Sequence, residues 1–301
     1  MDFFFQQLSN GLTVGGIYAL IALGYTMVYG VMKLINFAHG ELFALGAYIG
    51  YSLLVTMNLG GRLGPPMAIA LTIIMVASLV ALAGHLLERA AYRPLSHSDR
   101  LSAVVSALGA SIFLQNAIMI KWGAQYRAYG ADLLPNVIVN LFGQNVPLIR
   151  ILVFLFAVVV MTALYAFIHR TKLGLAIRAA AIDQGAAKLM GVDVRRVIAV
   201  VFIIGPALGG LAGLLVGLYY GQINFIMGQL YGLKAFTAAI IGGIGNIPGA
   251  MIGGLLLGLI EALGAAYVSV AWKDALTFVV LILILVFRPT GLLPERVAEK
   301  L

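Results

Sequence analysis

Apolar residues along this chain fall into long continuous blocks and not into the two-residue alternation of strands. Runs of spanning length occupy residues 8–29, 42–57, 66–87, 101–120, 148–169, 197–219, 250–270 and 275–287. A helix rising about 1.5 Å per residue needs about 20 such residues to cross about 30 Å of hydrocarbon. A ninth apolar stretch, 233–247, is short for a crossing and ends in Gly242, Gly243, Gly245, Asn246, Pro248 and Gly249, which reads as a short or broken helix. The expectation is an all-α, polytopic transmembrane helical bundle of eight or nine spans. No internal repeat, low-complexity linker or domain boundary interrupts it, so residues 1–301 read as one membrane domain.

Composition strengthens this reading. Hydrophobic residues make up 62% of the chain and charged residues only 10%, against about a quarter charged in soluble domains; mean hydropathy is +1.04. The formal charge of +8 does not point to nucleic acid, because the cations sit in short loops between apolar runs, where they report topology. Arg89, Arg93 and Arg100 share one loop, Arg170, Lys172, Arg178, Lys188, Arg195 and Arg196 another, and Arg288, Arg296 and Lys300 lie near the C-terminus. These segments are expected in the cytoplasm. With Lys33 also inside, the outer face holds Arg62, Lys121, Arg127, Arg150, Lys234 and Lys273, placing the N-terminus outside (periplasmic) and the C-terminus inside. That requires an odd number of crossings and favours the ninth. The N-terminus, MDFFFQQLSN, lacks the basic region of a cleavable signal and reads as the start of a retained span. Without cysteine there is no disulfide, iron–sulfur or thiol chemistry, although that leaves the compartment open.

Glycine is ordered as well as abundant. Gly205, Gly209, Gly213, Gly217 and Gly221 recur every four residues, and Gly11 with Gly15, Gly46 with Gly50, and Gly254 with Gly258 repeat the spacing. A stripe without Cβ atoms lets two helix backbones approach and gain dispersion contacts, which matter in lipid where helices have no hydrophobic drive to associate. The stripe fits packing inside the bundle or contact with another subunit. Pro206 is expected to kink the striped helix.

Catalytic constellations are absent. There is no G-x-x-x-x-G-K-[ST] loop for ATP and no H-E-x-x-H; His39, His85, His97 and His169 are scattered near helix ends, against a zinc site. Ser106 and Ser111 lie in an apolar span, where an intramembrane protease could keep a nucleophile, but a hydroxyl bonded to a nearby backbone carbonyl is the plainer account. Asn36, His39 and Glu41 form a polar cluster ahead of the second span. Asn36 can cap the following helix, and His39 with Glu41 could form the proton relay of an ion-coupled secondary transporter, although a relay lacks a second buried acid. Residues 173–192 carry Arg178, Asp183, Gly185, Lys188 and Gly191 around a run of alanines. Ile182, Ala186, Leu189 and Met190 fall on one face, and Gly191 can end the helix, giving a short amphipathic cytoplasmic helix whose small residues suit a groove on a partner protein.

At these residues the chain resembles a known family, the permeases of bacterial branched-chain amino acid ABC importers. The likeness runs along essentially the whole chain, through GGIYALIALGYTMVY at 15–29, INFAHGE at 35–41, AYRP at 91–94, SIFLQN at 111–116 and KAFTAAIIGGIGNIPGAMIGG at 234–254. The resemblance implies a multi-pass permease of the bacterial inner membrane that moves leucine, isoleucine or valine and is not itself an enzyme. It implies a second, homologous permease subunit, two cytoplasmic ATPase subunits that hold ATP and magnesium, a periplasmic substrate-binding protein, and no cofactor on this chain. Residues 173–192 then become the ATPase coupling helix, with Asp183, Gly185 and Gly191 where the family carries an acid and glycines; the segment departs from the Glu-Ala-Ala opening of other ABC importers. A zwitterion with an aliphatic side chain needs an apolar path with a few polar groups, for which Asn36, His39, Glu41, Gln115, Asn116 and Asn246 are candidates; packing or capping would serve them equally. Permeases for urea or short amides are the alternative within this reading.

Overall fold

The structure, a computed structural model, describes residues 2–95, 100–130, 137–141 and 144–293. His97, Arg296 and Lys300, named above, lie outside them. In chain order the helices are α1 (Asp2–Met32), α2 (His39–Tyr51), α3 (Leu59–Leu63), α4 (Pro65–Leu87), α5 (Arg100–Trp122), α6 (Leu148–Arg170), α7 (Lys172–Ile182), α8 (Gln184–Leu189), α9 (Val194–Tyr220), α10 (Met227–Gly242), α11 (Ile247–Tyr267) and α12 (Lys273–Phe287). Short strands β1 (Arg127–Ala128), β2 (Ile138–Leu141), β3 (Gln144–Pro147) and β4 (Gln222–Ile223) lie in the connections.

The bundle is all-α, as the hydrophobic blocks require, and seven of its helices are long and apolar enough to cross a membrane: α1, α4, α5, α6, α9, α11, and α12 with the turn ahead of it. The other two expected spans are shorter. The block at 42–57 is α2, which begins earlier at His39, runs for 13 residues and continues as a π-helical turn, Ser52–Thr56. The block at 233–247 is α10 and the turn behind it. Gly243 at φ +104° and Gly245 at φ +97° adopt backbone conformations that disfavour a side chain, so α10 ends there. Asn246 then caps α11 by accepting the Gly249 N–H at 3.2 Å.

Apolar on every side, α1 sits at the centre of the bundle and is buried along almost its whole span. It runs antiparallel to α11: a Cβ on Gly11 would sit 3.0 Å from Leu259, one on Gly15 2.8 Å from Leu255, and one on Gly254 2.4 Å from Ala19. The glycines of α9 do the same for three other neighbours. Gly205 faces Gly24 of α1, Gly210 faces Val80 of α4, and a Cβ on Gly213 would lie 2.0 Å from the Phe43 carbonyl of α2. Gly217 takes the Tyr129 ring, and Gly221, at φ +71°, ends the helix. Of the two readings of the stripe, packing within the bundle is the one these contacts support. Pro206 has no N–H for the Phe202 carbonyl, and Gly84 of α4 fills the space beside both: a Cβ there would stand 2.3 Å from Pro206 Cγ and 2.4 Å from that oxygen.

β1 pairs antiparallel with β4, Arg127 opposite Ile223, which ties the ends of α5 and α9 at one end of the bundle. β2 and β3 form a hairpin between α5 and α6. At the other end, α6 turns into α7, whose N-cap Thr171 accepts the Gly174 N–H at 3.0 Å. Towards the periphery burial falls away: α12 buries only Thr277 and leaves Ile282, Val286 and Phe287 exposed, as a lipid-facing helix must.

Candidate functional site

A cavity of about 350 Å³ opens where α1, α2, α5 and α10 meet. Tyr25 enters from α1, Gly40 and Glu41 from the first turn of α2, and Leu108, Ser111, Ile112 and Gln115 from α5. Gly228, Gln229, Gly232, Leu233 and Phe236 line it from α10, and Ile35 and Phe37 from the α1–α2 connection. Most of the wall is aliphatic or aromatic, with a few polar groups, the usual makeup of a small-molecule site. α5, one wall, is anchored at both ends: Ser106 Oγ donates to the Ala91 carbonyl at 2.8 Å, and Trp122 Nε1 donates to Ser52 Oγ at 2.7 Å. Ser106 is thus a hydroxyl bonded to backbone, as expected on the plainer reading.

Of the six polar residues named as pathway candidates, Glu41 and Gln115 reach this cavity, and Ser111, named as a hydroxyl in an apolar span, lines it too. His39 is fully buried on another side of α2, with Gly24 and Gly209 leaving just enough room for its ring. Asn36 does not cap α2, whose N-cap is Ala38. Its Oδ1 instead accepts the Ala38 N–H at 3.1 Å and the Tyr92 hydroxyl at 2.9 Å, because Asn36 lies two residues ahead of the cap, beside the turn that follows α4. Asn116 is exposed on α5 and donates back to the Ile112 carbonyl at 2.8 Å. Asn246 caps α11, as above. Among the described residues no three His, Cys, Asp or Glu side chains are grouped to hold a metal.

The segment 173–192 is two helices, not one. Asp183 is extended at φ −152° and N-caps α8, accepting from Gly185 N at 2.7 Å and Ala186 N at 3.1 Å. An acid that satisfies two orphan amide donors starts a new helix there, so Ile182 and Leu189 belong to different helices. Gln184 Nε2 donates to the Val31 carbonyl at 2.6 Å, fixing α8 to the end of α1. Gly191, at φ +84°, closes α8 as expected. Arg178 is half-buried on α7, whereas Lys188 and Gly185 are exposed, and Leu189 and Met190 are 90% and 85% exposed. A second cavity, about 490 Å³, lies beside this end between α4 and α9, lined by His85, Glu88, Arg93, Asp193, Arg195 and Arg196.

The largest feature not foreseen is a buried charge network. Lys234, counted above among outer-loop cations, sits inside α10, and both it and Glu261 of α11 are 3% exposed. Glu261 accepts from Lys234 Nζ at 3.2 Å, from Lys273 Nζ at 2.8 Å and from the Tyr18 hydroxyl at 2.7 Å. Lys234 also reaches Asp274 at 2.5 Å. The signal in the sequence was Glu261 itself, one carboxylate in the apolar block 250–270, which must find a partner in lipid.

Seven apolar spans, two short helices packed among them, an aliphatic-walled cavity and an exposed helix pair at one end define the class: a multi-pass α-helical membrane protein. Comparison with known proteins narrows it. The chain belongs to the family described as branched-chain amino acid transport system / permease component, whose model matches residues 7–285. It is 46% identical over 305 residues to the high-affinity branched-chain amino acid transport system permease protein BraD of Pseudomonas aeruginosa, covering 99% of this chain and 98% of the relative. To LivH of Escherichia coli K12, of the same description, it is 42% identical over 301 residues, covering 99% and 98%. A probable branched-chain amino acid transport permease, LivH of Methanocaldococcus jannaschii, is 26% identical over 299 residues, covering 95% and 91%.

Proposed function

We propose that this chain is the membrane-spanning permease subunit of an ATP-binding-cassette importer that carries leucine, isoleucine and valine across the bacterial inner membrane. The observation that carries the reading is the full-length likeness to permeases so described, at 42–46% identity. The cavity supports it independently: a few polar groups among Leu108, Ile112, Leu233 and Phe236 suit an aliphatic side chain better than a small, wholly polar solute such as urea. The alternation of helix direction supports nine crossings, with α2 and α10 counted as short ones, an N-terminus outside and a C-terminus inside. α1 and α11 run antiparallel, and the ends of α5 and α9 meet at the end opposite α7.

In this reading α7 and α8 dock on one of two cytoplasmic ATPases, which hold ATP and magnesium, with Leu189 and Met190 as the apolar contact. A second, homologous permease completes the pathway, and a periplasmic binding protein delivers the amino acid. ATP binding closes the ATPase pair, the α7–α8 unit follows as a rigid body through the Gln184–Val31 bond to α1, and the permeases exchange inward- and outward-open states. The test is uptake of radiolabelled leucine by cells lacking the gene and complemented with it, with ATP depleted while the proton gradient is maintained. Uptake that stops with ATP depletion supports the importer; uptake that continues makes the chain an ion-coupled transporter, and uptake of urea alone removes the substrate assignment.

A further inference from the structure

The geometry points to an amino acid binding site inside the membrane domain, in which Glu41 receives the ammonium group of the substrate. The inference rests on the importer reading and adds where and by what chemistry the substrate is held.

Glu41 is 2% exposed, stands in the first turn of α2 and lines the cavity. Its Oε2 is buried without a hydrogen-bond partner. Among the described residues no cationic side chain lines the cavity; the lysine of α10, Lys234, is committed to Glu261 and Asp274. A carboxylate in such a place is costly unless something completes it, and the strongest complement is a cation that donates hydrogen bonds. A substrate ammonium is such a group.

The surroundings hold the carboxylate in place. Oε2 lies against Gly228 in the first turn of α10, where a Cβ would come within 2.5 Å of it. The positive end of the α10 dipole therefore faces the carboxylate, and only glycine leaves room for it. Gly232, one turn on, would meet Gly40 at 3.0 Å and the Tyr25 hydroxyl at 3.1 Å if it carried a Cβ, so two glycines hold the cavity open along α10. The other polar side chains in the wall, Ser111 and Gln115 of α5 and Gln229 of α10, are neutral donors, suited to a substrate carboxylate without trapping it. Leu108, Ile112, Leu233 and Phe236 are left for the side chain. The ligand class is a zwitterionic α-amino acid with an aliphatic side chain. His39, the titratable neighbour on α2, packs against Gly24 and Gly209 and takes no part.

The test is equilibrium binding of radiolabelled leucine to the assembled transporter in nanodiscs without the binding protein. Competitors are leucinamide, which keeps the ammonium, and 4-methylpentanoate, which keeps only the carboxylate. The unaltered complex should prefer leucinamide over 4-methylpentanoate by about 10- to 100-fold, the range of one charge-assisted hydrogen bond. Glu41→Gln should weaken leucine binding by a similar factor and abolish that preference. Equal competition by the two analogues on the unaltered complex overturns the proposal without any variant, as does a Glu41→Gln complex that binds and discriminates like the original. Failure of the unaltered complex to bind leucine, with ATP-dependent uptake in cells intact, overturns the site and leaves the importer reading standing.

Discussion

Replacing Glu261 with glutamine should destabilise the bundle far more than replacing Lys234 with methionine. Glu261 satisfies Lys234, Lys273 and the Tyr18 hydroxyl at once, at 3.2, 2.8 and 2.7 Å. Removing one partner of a buried ion pair typically costs about 3–5 kcal/mol, because the other charge is stranded in low dielectric. Here Lys234 keeps Asp274 at 2.5 Å, which brings the expected loss for Glu261→Gln to about 2–3 kcal/mol on that scale. Lys234→Met leaves Glu261 paired with Lys273 and should cost about 1 kcal/mol, the net of one buried hydrogen bond. The pair Lys234→Met with Glu261→Gln strands neither of these two groups, so its loss should fall short of the summed single changes by about 1–3 kcal/mol. Unfolding in mixed micelles by detergent titration, followed by the fluorescence of Trp122 and Trp272, reads these differences. A Glu261→Gln shift indistinguishable from zero, or strict additivity of the pair, would refute the claim that the network holds α10 to α11. The claim matters for transport because Leu233, next to Lys234, lines the cavity.

Three further outcomes follow from the same geometry. Gly84→Ala should lower stability by about 1–3 kcal/mol through overpacking on Pro206 and Phe202, whereas Gly109→Ala, which meets nothing within 4 Å, should be close to neutral in the same titration. Leu189→Asp with Met190→Asp, both on exposed positions, should abolish co-purification of the ATPases while the chain still inserts in the membrane. Tyr92→Phe removes one hydrogen bond from buried Asn36 and should cost about 1 kcal/mol in the unfolding titration; Tyr126→Phe, on an exposed ring, serves as the neutral control.

The long spans were legible because burial in lipid leaves a plain mark on sequence: about 20 apolar residues in a row. The short helices were less so. α10 carries Lys234 in its middle, and a lysine near an apolar block reads as a loop cation until Glu261 and Asp274 are seen around it. The glycine stripe was visible, but which neighbour each glycine serves depends on three helices, α1, α2 and α4, meeting α9 from different sides. Glu41 and Gln115 could be named as polar groups near apolar spans; that they share a cavity while Asn116, one residue along α5, turns away follows from helix rotation, which spacing alone does not set. Asp183 was read as part of one helix because its neighbours keep a helical spacing of apolar residues. Its side chain ends that helix by capping the next.

The measurement that bears most directly on the central claim is leucine transport into proteoliposomes holding the permease pair and the ATPases, with the binding protein outside and no ion gradient. The account predicts that leucine accumulates only when ATP and magnesium reach the ATPase face, and that isoleucine and valine compete while urea does not. Accumulation without ATP, or driven by an imposed proton gradient alone, would contradict it.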